Sequence, residues 1–150
     1  MQFESNIREI IENECDDYYL GTTDLSICKD PMINKYKLLF DEYPQAISIG
    51  ITLPQNSQLL KNDIYSNYSE SYCKLKSISV NLCSFLEQEG YNTVVLPKSE
   101  KVNDEKFISI HKLVAAQADL GKIDENGFFI TNDIDSKVNL GTVLTDASLI

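Results

Sequence analysis

Tryptophan is absent from this chain, histidine occurs once, and its 150 residues include only four prolines and six glycines. One histidine leaves little material for a Ser–His–Asp relay, and no positioning signature accompanies it. The four cysteines, Cys15, Cys28, Cys73 and Cys83, form no CxxC pair. That spacing matches neither a zinc site nor an iron–sulfur site, so no iron–sulfur cluster and no metal are expected within the chain. No signal peptide precedes the cysteines, and no apolar run approaches the ~20 residues that span a bilayer. The expectation is a soluble, cytoplasmic protein with reduced thiols, Cys83 in its core, and no membrane contact. Phosphate and hydrolase signatures are missing too: there is no GxGxxG after a strand, no Walker loop, no GxSxG and no HExxH.

Positive charge is scarce. Thirteen Lys and Arg face 23 Asp and Glu, for a net charge of −10. Nucleic acid would be repelled by that average field, and no basic stripe offsets it. The pairs Lys35/Lys37 and Lys74/Lys76 are read as solvated helix faces.

What remains is ordinary for a globular protein: 43% hydrophobic and 24% charged residues. A single domain over 1–150 is expected, burying about 70% of the surface of its unfolded chain. Ile7, Ile10 and Ile11 predict a helix over Ser5–Glu14, and Tyr18–Thr22 predicts a short strand. Pro31 suits a first helical turn, so a helix is expected from Met32 to Phe40, closed before Pro44. Ala46–Leu53 is the clearest strand, and its nearly continuous apolar run predicts burial on both faces. Pro54–Asn67, with Tyr65 and Tyr68, reads as a long loop or a loop plus a helical turn. Glu70–Glu89 reads as the longest helix, with Gly90 at the left-handed position after it. Tyr91–Leu96 predicts a strand, and Pro97–Lys106 an exposed charged segment. Ile108–Leu120 predicts a helix ended by Gly121, with Ala115 and Ala116 allowing a close neighbour. Phe128–Thr131 and Val138–Thr145 predict two strands, antiparallel to each other across the polar turn Asn132–Lys137. The fold class is α/β (α+β), a mixed β-sheet with flanking helices.

The densest stretch runs from His111 to Asp146. Read residue by residue it is helix, glycine turn, loop, strand, turn, strand, and a plain helix-to-strand connection explains it. His111 sits where a helix begins, where backbone donors favour anions. Gly121 and Gly127 frame the loop KIDEN, where glycine permits a positive φ or a close ligand approach.

This stretch also resembles the epoxyqueuosine reductase-like iron–sulfur proteins. Their pattern is a histidine- and alanine-bearing helix, then A-G-L-G-W-I-G-K-N-G-L, a strand, and R-L-G-T-V-L-T-D. Here the helix carries His111, Lys112, Ala115 and Ala116, the turn runs from Ala118 to Phe128, and the last strand reads Leu140, Gly141, Thr142, Val143, Leu144, Thr145, Asp146. The resemblance covers roughly Ala46–Leu149. It implies a nitroreductase-related, cobalamin-binding domain of an oxidoreductase, whose electrons come from a ferredoxin-like iron–sulfur domain. That domain would begin after Ile150, so the chain is expected to be incomplete or inactive alone and to need an iron–sulfur donor. The resemblance places His111, Gly121, Asn126, Gly127, Thr142 and Thr145 near the cofactor. Glu100 and Asp104 are the carboxylates available as a catalytic acid, though neither sits in a recognisable motif.

The departures are Asp119 and Asp124 at glycine positions, Lys122 at a tryptophan, Glu125 at a lysine and Asn139 at an arginine. They add carboxylates where cobalamin would bring a phosphate. Two rival readings follow: a non-catalytic interaction module that lost the cofactor, and a flavin-binding domain. A homodimer is expected to cover apolar surface left by a missing partner domain.

Overall fold

The isoleucine-rich run between Pro44 and Pro54 forms the strand Gln45–Thr52, buried along almost its whole length. The structure, a computed structural model, describes residues 2–28, 31–34, 36–53, 61–97, 109–132 and 138–149. In chain order the elements are α1 (Glu4–Glu12), β1 (Tyr18–Asp24), a 3-10 turn (Leu25–Ile27), α2 (Pro31–Asn34), α3 (Lys37–Glu42) and β2 (Gln45–Thr52). Then follow α4 (Lys61–Gln88), β3 (Thr93–Val95), α5 (Ile110–Gln117), β4 (Gly121–Ile123), β5 (Phe129–Thr131) and β6 (Val138–Thr145). Lys35, Glu100, Asp104 and most of the expected exposed segment and of the 132–137 turn lie outside the described residues.

Four strands form the main sheet in the order β1-β2-β6-β3. The class is α+β with flanking helices, as expected, and every pairing is antiparallel rather than mixed in direction. β2 lies inside the sheet between β1 and β6, which is why its apolar run has no polar alternation. The two last strands do not pair with each other as expected. β5 instead closes a separate hairpin with β4, whose residue Gly121 pairs with Thr131. β6 pairs with β2 and β3. An eight-residue strand with no side that must face water finds two partners, whereas a three-residue strand finds only its hairpin mate.

Strand alternation assigns the two faces. Ile47, Ile49, Ile51 and Val143 pack against Leu75, Ile78, Leu82 and Leu86 of α4 and Ile7 and Ile11 of α1. Ala46 and Leu144 face the other way, towards Leu113 and Val114 of α5 with Leu25, Ile33 and Phe40. Ser48 and Thr142 share that second face by parity, and they are cross-strand partners.

Most element ends shift by a residue or two, and three differences from the sequence are larger or of another kind. α4 begins at Lys61, nine residues before the apolar stripe that predicted it. No glycine or proline stands between 61 and 88 to stop a helix from running past its stripe. The expected helix 32–40 is two short helices, with Tyr36 at a non-helical φ of −107° between them. And α5 does not end on a left-handed Gly121. Asp119 takes that conformation, with φ 65°, while Gly90 and Gly127 are the glycines with positive φ.

Candidate functional site

α5 is positioned by a row of small residues. Gly21 pairs with Ser48, and Ser48 with Thr142, so the three form one line across β1, β2 and β6. His111, at one end of α5, bonds Thr142. At the other end the Ala118 carbonyl oxygen lies 2.6 Å from where a Cβ on Gly21 would sit. Seven helical steps cover about 10 Å, and two strand spacings also cover about 10 Å, so the helix fits the row end to end. Ala115 is wholly buried between the ends. Glycine, serine, threonine and alanine let the helix lie close on the sheet.

His111 is 7% exposed and both ring nitrogens are engaged. Nε2 lies 2.7 Å from the Pro97 carbonyl oxygen and Nδ1 lies 2.9 Å from Thr142 Oγ1. A carbonyl only accepts, so Nε2 carries the hydrogen and the Thr142 hydroxyl donates to Nδ1. Burial pushes the imidazole pKa below its ordinary value of 6.5, and the Pro97 hydrogen bond opposes this more weakly. The ring is therefore neutral at pH 7.

A pH dependence follows. The folded pKa lies below the unfolded one, so the unfolded chain binds the proton better. The stability from neutral His111 is fully present above pH 6.5 and is lost as the pH falls below that value towards the lowered folded pKa. Urea unfolding midpoints measured from pH 7.5 to 5 are expected to drop through that window, and the drop should be smaller in His111→Gln. Equal drops in both proteins would remove His111 as its cause.

Ser48 lies beside this pair and is fully buried. Its hydroxyl has no hydrogen-bond partner among the described residues. Such a group is tolerated at a cost of about 1–3 kcal/mol.

Asn126 and Gly127 occupy the tip of the β4–β5 hairpin. The Asp124 N–H donates to the Phe128 carbonyl (2.9 Å), and the Gly127 N–H to the Asp124 carbonyl (3.0 Å). Asp124 Oδ1 accepts from the N–H groups of Asn126 and Phe128, each at 2.9 Å. Gly127 takes the left-handed conformation with φ 84°, as a hairpin of this kind needs. Lys112 Nζ donates to the Gly127 carbonyl at 2.9 Å and ties the hairpin to α5. Gly121 sits at the hairpin base, where a Cβ would collide with the Ile130 carbonyl oxygen.

Thr145 stands apart from Thr142. Three steps along a strand reverse the face, so the two hydroxyls point to opposite sides of the sheet. Thr145 Oγ1 donates to the Asn92 carbonyl (2.8 Å) and accepts from the Ala147 N–H (3.1 Å). Asp146 binds the Asn92 backbone and side chain at 2.8 and 2.9 Å. The Thr-Asp pair that ends the LGTVLTD run thus fastens β6 to the start of β3.

Of the six residues chosen from sequence, the structure joins His111 to Thr142, and it links Gly127 to the helix through Lys112. Thr145 lies on the α4 side. Sequence reasoning missed Gly21, Ser48 and Pro97. Ser48 interrupts the apolar run of β2 without showing which face it takes, and nothing in sequence marks a carbonyl such as that of Pro97. A cleft of about 370 Å3 lies elsewhere, lined by Leu25, Ser26, Cys28, Ile33, Lys37, Phe40 and Asp41, and none of the six borders it. Burial pushes the Cys15 and Cys83 thiols up, which suits packing residues rather than nucleophiles. Among the described residues, no three His, Cys, Asp or Glu side chains group as a metal site. No helix among them is long and apolar enough to cross a membrane.

No protein-family model matches the chain. No curated protein matches it either. Solved structures do. Epoxyqueuosine reductase from Streptococcus thermophilus superposes with a TM-score of 0.58 and 16% identity, over 100% of this chain and 47% of that enzyme. Epoxyqueuosine reductase from Bacillus subtilis, with its catalytic loop swung out of the active site, gives 0.59 and 16%, over 96% and 45%. At that identity the likeness establishes a shared fold. The chain spans about half the length of the enzymes it matches.

Proposed function

We propose that the chain is an oxidoreductase-like domain of the epoxyqueuosine reductase type, which turns over only with a separate electron donor. The observation that supports this reading is the fold likeness, which runs over 96% or more of the chain in both comparisons. The helix and strand that carry the sequence resemblance are α5 and β6, and they meet at the His111–Thr142 hydrogen bond. By that resemblance the working group would be cobalamin, which would supply redox chemistry, and the donor would be an iron–sulfur domain or protein of the cytoplasm.

The six residues do not fit cobalamin as direct ligands. His111 and Thr142 are buried and bonded to each other, Thr145 is bonded on the far face, and the hairpin satisfies its own donors. The chain's own residues do something narrower. His111 holds the Pro97 carbonyl, and with it the end of β3, against α5. Its ring is a joint with both nitrogens already hydrogen-bonded.

An anaerobic assay on epoxyqueuosine tests the reading. The chain with chemical reductant alone is expected to give no queuosine, and addition of a reduced iron–sulfur protein to give some. Turnover by the chain alone would refute the need for a donor. Silence in every mixture would refute the oxidoreductase reading. A non-catalytic interaction module would then stand, and the internally satisfied hairpin favours it.

A further inference from the structure

We infer that Asp124 closes the Gly121–Thr131 hairpin to phosphate-bearing ligands, so that this chain holds no cobalamin there despite the resemblance. Two N–H groups, of Asn126 and Phe128, converge on one acceptor. Converging backbone N–H groups are the ordinary means by which a loop captures an anion. Here the acceptor is Asp124 Oδ1, so the chain supplies the anion itself. The N–H between them, of Gly127, is held by the Asp124 carbonyl. No backbone N–H at the tip from Asn126 to Phe128 is left for a ligand.

The nearby charges act in the same direction. Lys112, the cation at the tip, has its ammonium on the Gly127 carbonyl. Asp119, Asp124 and Glu125 outnumber Lys112 and Lys122 along the segment. Gly121 offers no close approach to a ligand either, because the Ile130 carbonyl fills the space beside it. The glycines of KIDEN therefore serve a hairpin: one for its left-handed residue, one for its crowded base.

The inference takes only its ligand class from the reductase-like reading. Failure of that reading shows as absent turnover with donor present, whereas failure here shows at three backbone amides. Amide NMR of the uniformly labelled chain is recorded during titration with hydroxocobalamin and, separately, with inorganic phosphate. In the wild-type chain the Asn126, Gly127 and Phe128 signals are expected to stay still. In Asp124→Gly the same signals are expected to move with phosphate, at an affinity roughly tenfold or more above wild type. Saturable movement in the wild-type chain would overturn the inference. An Asp124→Gly protein as silent as wild type, with its β4–β5 amides unmoved, would also overturn it. Should that variant lose the hairpin, Asp124→Asn decides the cause. It keeps the acceptor oxygen and loses the charge, so it is expected to remain silent, and saturable shifts in it would show that occupancy of the donors is not what excludes the anion.

Discussion

His111→Ala is expected to destabilise the protein by about 3–5 kcal/mol at pH 7.5, read as a fall in the urea midpoint with an unchanged slope. The substitution strips two partners at once. The Pro97 carbonyl loses the Nε2–H that it accepts, and the Thr142 hydroxyl loses Nδ1. Thr142 is 1% exposed, so water does not replace the lost acceptor without rearrangement. Each polar group left unsatisfied accounts for about 1–3 kcal/mol, and the emptied ring volume adds a cavity term. His111→Gln returns one hydrogen bond and part of the volume, so it should fall between the two. A loss under about 1 kcal/mol in His111→Ala would mean that the ring is not a structural joint, and a ligand role would return to consideration.

The second large effect is expected from Gly21→Ala. Two opposing terms meet at this position. Glycine inside a strand is unfavourable, and alanine there would ordinarily gain about 0.5–1 kcal/mol. Against this, the new Cβ would stand 2.6 Å from the Ala118 carbonyl oxygen and 2.9 Å from Leu120 Cδ2. The first of these is backbone and has no rotamer to escape into. Overpacking of this kind costs about 1–3 kcal/mol, and the clash should win.

The more informative readout is remote. α5 rests on Gly21 at one end and on Thr142 at the other, so lifting one end tilts the helix over the row. The His111 ring signals should shift although the mutation lies two strands away. The His111 pKa should rise towards its ordinary value as the ring becomes wetter. A destabilised Gly21→Ala protein with unmoved His111 signals would show that the two ends of α5 are independent.

Much of the fold was legible in the sequence because periodicity carries it. β2 announced itself through the nearly continuous apolar run Ala46–Leu53 between two prolines, and α4 through Leu75, Ile78, Leu82 and Leu86. Gly90 was legible because a left-handed residue after a helix favours glycine. The pairing of β5 with β4 was not legible, since a three-residue strand has too little pattern to choose a partner. Nor was the left-handed Asp119, whose short polar side chain tolerates a conformation that the sequence pattern assigns to glycine.

The site was half legible for a related reason. The His111 helix and the LGTVLTD strand stood out as motifs, and they do touch. Grouping Thr145 with Thr142 treated a strand as if every residue faced one way. Asn126 and Gly127 looked like ligand residues because turns and ligand loops share the same chemistry of glycine and small polar side chains. Only the hydrogen bonds to Asp124 separate the two uses. Gly21 and Ser48 became visible only when the register placed them in line with Thr142.

The strand order β1-β2-β6-β3 has a kinetic consequence. β6 is the last strand in the chain, yet it occupies an interior place, with β2 on one side and β3 on the other. As the chain leaves the ribosome, β1 and β2 can meet early, but β2 then presents an unpaired and apolar edge until residues 138–145 arrive. β3 has no mate in the sheet during that interval. Long-range closure of this kind slows folding and exposes partly folded chains to association. The late insertion of one strand into a waiting slot makes residues 138–145 the step on which productive folding and aggregation compete.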